Sequence, residues 1–146
     1  MIIREAKLVD LGQIFDIRFS VKENVLSNRD LVTEADCVDY LIRRGKGWVC
    51  DIGNNHLSGF AIVDLQDYSV WALFLRPEFE GQGIGSALHK TMMDWYFSQT
   101  SHAVWLSTGK GTRAEVFYRK KGWKEKGLKP NGEIVFELYK EDWKST

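Results

Sequence analysis

The chain has 146 residues, the size of one domain, and residues 1–146 are read as a single unit. Hydrophobic residues make up 44% and aromatics 13%, enough for a packed core, and 20 basic side chains balance 20 acidic ones. This neutrality, with no long run of one sign, excludes the electrostatic footprint of a nucleic-acid or anionic-membrane binder. No leader pattern and no apolar run of about 18 residues stands in the sequence, so a cytoplasmic location is expected. His56, His89 and His102 are scattered and Cys37 and Cys50 form no C-x-x-C. No metal is therefore expected, and the cysteines read as small buried residues in a reducing compartment.

Residues 2–3 begin a short strand. Asp10, with Gln13 three positions on, has the spacing of a capping box, and Leu11, Ile14, Ile17 and Val21 recur at helical intervals. Residues 24–30 read as a loop. Thr33 caps a second helix reaching about Arg44, with Cys37, Tyr40 and Leu41 inward, and the glycines within 45–47 stop it. Strands follow over 48–52 and 58–65, joined by a Gly53-Asn54-Asn55-His56 hairpin turn. A turn over 67–69 leads into an apolar strand over 70–75. A glycine-spaced turn then opens a helix over about 83–97, with Ile84, Leu88, Met92, Trp95 and Tyr96 on its apolar side. A strand over 103–107 precedes a helix over 112–121, which carries a Thr112-x-x-Glu115 capping box and Gly122 as a left-handed cap. The end reads as antiparallel strands in which Ile134, Phe136 and Leu138 alternate with Val135, Glu137 and Tyr139.

The glycine turn carries the chemistry. A helix N-terminus after a Gly-rich turn presents unpaired N–H groups and the positive end of a dipole, which together suit a diphosphate. Glycines at 81, 83 and 85 let the backbone approach an anion without a Cβ in the way. The dinucleotide fingerprint G-x-G-x-x-G fails, because Ser86 stands where its third glycine should be. A Walker loop fails as well. Gly109-Lys110 lacks the upstream glycine, since Val104 occupies that place, and Gly111 follows the lysine.

Two blocks fit a third pattern. The first is Leu75-Arg76-Pro77-Glu78-Phe79-Glu80-Gly81-Gln82-Gly83-Ile84-Gly85-Ser86-Ala87-Leu88, and the second is Ala114-Glu115-Val116-Phe117-Tyr118-Arg119-Lys120-Lys121-Gly122-Trp123. In this order they resemble the GCN5-related N-acetyltransferase (GNAT) family, with its R/Q-x-x-G-x-G/A turn and its downstream A-x-x-F/L-Y-x-K-x-G-F/W block. The resemblance runs from Ile2 to about Tyr139. It implies an α+β, mixed α/β fold ordered β-α-α-β-β-β-α-β-α-β-β. In such a fold a mostly antiparallel twisted sheet, flanked by about four helices, splays open between its fourth and fifth strands. It also implies acetyl-CoA as cosubstrate, held in the split, and transfer of the acetyl group to a primary amine of a small molecule, peptide or protein.

Residue by residue, the resemblance implies that the backbone of Gly81, Gln82, Gly83, Ile84, Gly85 and Ser86 cradles the pyrophosphate. Leu73 and Leu75 would pair with the pantetheine arm, and the amide near Leu73 or Phe74 would polarise the thioester carbonyl. Ala114, Phe117, Tyr118 and Lys121 share one helical face. The small Ala114 would leave room for the cosubstrate, Phe117 would pack against it, and Tyr118 would be the general acid toward the CoA sulfur; a core tyrosine is the structural alternative. The strand glutamate that serves some relatives as base is Ser69 here, which leaves Asp64, Asp67, Glu23, Glu34 or a water chain to take the amine proton.

Two further departures stand out. Glu80 occupies the Arg/Gln position, where a carboxylate beside a diphosphate would cost about 1–3 kcal/mol per unit charge. It is therefore expected to point away, or to pair with Arg113 or Lys120. Gly111 stands where many relatives have Asn, which puts one cosubstrate hydrogen bond in doubt. Specificity is expected from residues 24–31 and 67–69, with Glu23 and Asp30 as attractors of a cationic amine. Trp71, Trp105 and Trp123 are candidate pocket aromatics, although strand aromatics more often fill cores. Neither cysteine falls in a block, so direct attack in a ternary complex is expected over an acetyl-enzyme. A noncatalytic acyl-CoA sensor is the alternative, and a homodimer is compatible with the resemblance.

Overall fold

The structure, a computed structural model, describes residues 1–26 and 31–143. Seven strands form one sheet: β1 (Ile2–Glu5), β2 (Gly45–Asp51), β3 (Leu57–Asp64), β4 (Ser69–Leu75), β5 (Val104–Thr108), β6 (Lys124–Leu128) and β7 (Ile134–Leu138). Their order is β1-β2-β3-β4-β5-β7-β6, and every neighbouring pair is antiparallel except β4–β5. Four helices flank the sheet: α1 (Leu11–Ser20), α2 (Glu34–Val38), α3 (Ile84–Gln99) and α4 (Arg113–Lys120). The α+β class and the element order match the sequence reading. Among the described residues no helix is long and apolar enough to cross a membrane.

The two faces of the sheet carry separate cores. β3 is buried along its whole length, and its alternation sends Ala61 and Val63 into one core and Phe60 and Ile62 into the other. The first core is closed by α3, whose Ile84, Leu88, Met92 and Tyr96 repeat at intervals of one turn and are fully buried. The second is closed by Leu11, Ile14 and Ile17 of α1 with Cys37 and Leu41. Both cysteines are buried and unpaired.

Three local readings need correction. Asp10 is the N-cap residue of α1, as its helix-start spacing implies, but it forms no box with Gln13. Its carboxylate accepts from the Lys7 N–H at 2.8 Å and from both Arg4 terminal nitrogens at 2.9 Å. That bidentate, charge-assisted pair holds the carboxylate below its ordinary range against the opposing effect of burial, through hydrogen bonds from Arg4 and Lys7. Gln13 instead ties α1 to the β2–β3 hairpin, accepting from the Leu57 N–H at 2.8 Å. The second helix keeps its Thr33 cap, whose hydroxyl accepts from the Asp36 N–H at 3.1 Å, but after Val38 it widens into a π-helical stretch, Asp39–Arg44. Gly45 and Gly47 then lie inside β2 rather than before it, because a Cβ at Gly45 would run into the Val63 carbonyl of β3.

The feature that matters for function is the junction of β4 and β5. These strands register at one pair alone, Ser69 opposite Trp105, and diverge beyond it. On its other edge β4 stays paired with β3, except at Trp71, which is an extra residue with no partner on β3. Such a bulge bends and twists its strand. The Trp71 ring stacks on Tyr40 of the π-helical stretch, with centroids 4.2 Å apart.

Candidate active site

Two cavities open on the split. The first, about 460 Å³, runs along β4 from Leu73 to Leu75, past Pro77 and Glu80, to Gly81, Gly83, Gly85 and Ser86, with Arg113, Ala114, Phe117 and Tyr118 of α4 opposite. At its far end the backbone forms a cradle. Gly81 has φ 77° and Gly83 has φ 83°, and Gly83 is the N-cap of α3. A Cβ at either glycine would meet nothing within 4 Å, so the space in front of the turn is open. The ladder of α3 begins with the Ala87 N–H on the Gly83 carbonyl, so the N–H groups of Ile84, Gly85 and Ser86 stand ahead of the helix's own ladder. Unpaired N–H groups at the positive end of a 16-residue helix suit a diphosphate. The residues present therefore fit the phosphate end of acetyl-CoA.

The Glu80 carboxylate pairs with Arg113 at 3.4 Å, one of the two partners anticipated for it. The pair is exposed and worth little to stability. Its consequence is electrostatic, since it offsets the anion that the motif departure puts beside the cradle. Gly111 adopts φ 79° and donates its N–H to the Glu115 carboxylate at 2.8 Å. Glu115 thus reaches Gly111 rather than closing the box on Thr112, whose hydroxyl accepts from the Glu115 N–H at 3.3 Å.

Tyr118 lies where the two cavities meet. Asn24, Leu73, Phe74, Ala114 and Tyr118 line both. The Tyr118 ring is 6% exposed and wedged against Phe117, Trp123 and Phe136. Its hydroxyl has no hydrogen-bond partner among the described residues, and burial pushes the phenol well above its ordinary pKa. A group in that state holds its proton across the neutral range, as a general acid must.

The second cavity, about 550 Å³, continues beyond Tyr118 between α1, β4 and the end of β5. Trp71 lines it, as anticipated. Trp105 and Trp123 do not: the Trp105 ring N–H donates to the Asp67 carbonyl at 2.9 Å, and that of Trp123 donates to His89 Nε2 in the core at 3.0 Å. None of the four carboxylates considered as base lines this cavity. Asp64 is buried and bonded to Arg44 at 2.7 Å, and Glu23 caps α4 by accepting from the Arg113 N–H at 2.9 Å. Glu34 lies on α2, away from the split. Asp30 falls outside the described residues.

Glu133, Arg18 and Cys37 line the second cavity and were not singled out from sequence as part of a site. For Arg18 a signal existed, since it follows Ile14 by four positions and so shares the apolar stripe of α1. Asn24 fixes the entrance, with its side chain bonded to the Thr108 hydroxyl at 3.0 Å and to the Gly109 N–H at 2.9 Å. Burial, then Asp36 and Glu34, push the Cys37 thiol up to about 11, so it stays protonated and is a poor nucleophile.

A family model for the acetyltransferase (GNAT) domain matches residues 43–125, more than half of the chain. The chain belongs to the GNAT family. As a member it is an acetyl-CoA-dependent acetyltransferase. No curated protein is close enough in sequence to count as a match. Solved GNAT structures share its fold. The ribosomal-protein-S18-alanine N-acetyltransferase of Escherichia coli superposes with a TM-score of 0.75 at 17% identity, over 94% of this chain and 92% of that one. The PaiA N-acetyltransferase of Thermoplasma acidophilum, solved with coenzyme A, gives 0.81 at 16% identity over 94% and 98%. The ribosomal-protein-alanine N-acetyltransferase of Brucella melitensis gives 0.76 at 20% over 95% and 99%.

Proposed function

We propose that residues 1–146 act as one N-acetyltransferase domain that moves the acetyl group of acetyl-CoA to a primary amine, carried by a small molecule or a peptide, by direct attack in a ternary complex. Acetyl-CoA supplies an activated thioester. The N–H groups of residues 81–86 hold its diphosphate, and the free edge of β4 at Leu73, Phe74 and Leu75 receives its pantetheine arm and polarises the carbonyl. Ala114 and Phe117 form the opposite wall. Tyr118 gives its proton to the departing sulfur. Glu133 is a carboxylate on the cavity wall, but its Oε1 is engaged by Asn131 and Lys129, so the amine proton leaves through its other oxygen or through water.

One observation carries this reading: a proton-bearing hydroxyl, without a partner among the described residues, at the meeting point of a phosphate-suited cavity and an apolar one. The protonated Cys37 supports direct attack over an acetyl-enzyme. The test is release of CoA from acetyl-CoA, followed by thiol detection, across amino acids, polyamines, aminoglycosides and peptides. Intersecting initial-rate plots with the best acceptor are expected. Parallel plots would point to an acetyl-enzyme, and no release with any acceptor would defeat the reading.

A further inference from the structure

Among the described residues Arg18 is a cation without an anion. It stands on α1 in the wall of the second cavity, with its guanidinium over the Phe74 ring at 4.2 Å. Nη2 donates to the Asn24 carbonyl at 3.1 Å, while Nη1 is buried with no hydrogen-bond partner. Among the described residues no carboxylate pairs with it, and burial alone acts on its pKa, in the downward direction. Taking a guanidinium out of water without a counter-charge is costly.

The cavity around it is mostly apolar, built from Ile14, Phe15, Val70, Trp71 and Leu106. Glu133 is the other charged side chain on the wall, and it already accepts from Asn131 Nδ2 at 2.7 Å and lies 3.7 Å from Lys129 Nζ. A cation unmet among the described residues, in an apolar surround, suits a ligand with one anionic group and an apolar body. The planar guanidinium fork matches a carboxylate. Phe74, which carries the guanidinium on its ring, also lines the first cavity, so Arg18 lies one ring away from the wall assigned to the thioester.

Within the acetyltransferase reading, on which this rests, we propose that the acceptor is a small amino carboxylate with an apolar body, its carboxylate held by Arg18 and its amine turned toward Tyr118. At about 550 Å³ the cavity suits a ligand of amino-acid size.

The test is calorimetric titration of the protein saturated with CoA, which carries no acetyl group and so permits no turnover. The ligands are L-leucine, L-phenylalanine and their amides, which match them in size but lack the negative charge. At least one acid is expected to bind about tenfold or more tightly than its amide, as a charge-assisted pair implies. The difference should vanish in Arg18→Met and Arg18→Gln. Equal binding of acid and amide, no binding of either, or a preference that survives both substitutions would overturn the assignment. So would tighter binding of a leucine-headed tripeptide than of leucine. The wild-type comparison stands by itself should a variant fail to fold. The preceding CoA titration separates the two levels: failure to bind CoA removes the acetyltransferase reading and the assignment with it, whereas CoA binding without an acid preference removes the assignment alone.

Discussion

Tyr118→Phe separates a catalytic hydroxyl from a packing one. The ring is 6% exposed and its contacts with Phe117, Trp123 and Phe136 are all made by carbon atoms that phenylalanine retains. The hydroxyl has no partner among the described residues, so its loss breaks no hydrogen bond, and removing an unsatisfied polar group is neutral or mildly stabilising. A structural tyrosine with a bonded hydroxyl would instead cost about 1 kcal/mol. For activity, loss of a general acid lowers turnover by about 10²-fold, equal to about 2.7 kcal/mol of barrier. The expected pattern is an unchanged or slightly raised melting temperature, unchanged acetyl-CoA affinity by calorimetry, and a turnover number about 10²-fold lower with the best acceptor. A lowered melting temperature with turnover near wild type would refute the role and make Tyr118 a core residue.

Other outcomes follow from single features. Gly83→Ala places a Cβ at φ 83°, a conformation that costs a non-glycine residue about 1–2 kcal/mol, and pushes it into the open space before the cradle; a modest loss of stability with at least a tenfold loss of CoA affinity is expected, and undiminished affinity would place the diphosphate elsewhere. Glu80→Arg removes a carboxylate beside the cradle and frees the Arg113 side chain, so CoA binding by calorimetry should hold or tighten, and a clear loss would show that the Glu80–Arg113 pair shapes the turn. His89 is buried, its Nε2 accepts from Trp123, and burial, then Lys121, push it down to about 3, so the folded chain resists protonation that the unfolded chain accepts near 6.5. Stability should therefore fall as pH drops from about 6.5 toward 3, by up to about 1.4 kcal/mol per pH unit from this group, and the fall should be shallower in His89→Leu; superimposable pH slopes in denaturant melts would count against it.

The parts of the fold legible in sequence were those whose signal is local. Ile84, Leu88, Met92 and Tyr96 declare α3 by spacing, and Thr112 and Gly122 bracket α4 with cap residues that the structure uses as such. Readings failed where a residue answers to a distant partner. Gly45 does end the helical stretch, as read, but its place inside β2 against the Val63 carbonyl, and that of Gly47 against the Leu41 side chain, answer to partners that spacing does not report. Asp10 marks the start of α1, as read, yet its carboxylate does not cap the helix, because Arg4 offers two charge-assisted bonds and takes it. Trp123 resembles the pocket aromatic Trp71 in type, and only the His89 ring behind it distinguishes the two. The half of the site proposed for the cosubstrate was suggested by sequence because it is made of backbone, which a glycine pattern reports. The second cavity, proposed for the acceptor, is made of side chains from α1, β4, β5 and the segment before β7, and no short motif spans them.

The split itself follows from one residue more than from any motif. With Ala72 opposite Ile62 and Val70 opposite Val63, β4 spends Trp71 without a partner on β3. The bulge adds twist to a strand whose other neighbour is parallel and joined to it at Ser69 alone, so β4 turns away from β5 instead of zipping along it. The unpaired edge that results would be a hazard on an outer strand. Here it faces a cavity between α4 and the start of α3, where a ligand with amide groups can pair with it in place of a strand. The Trp71 ring, turned onto Tyr40, anchors the bulge to the π-helical stretch. That places an aromatic of the second cavity and the opening of the first under the control of the same extra residue, so a change that let β4 regain its register would be expected to close both cavities together.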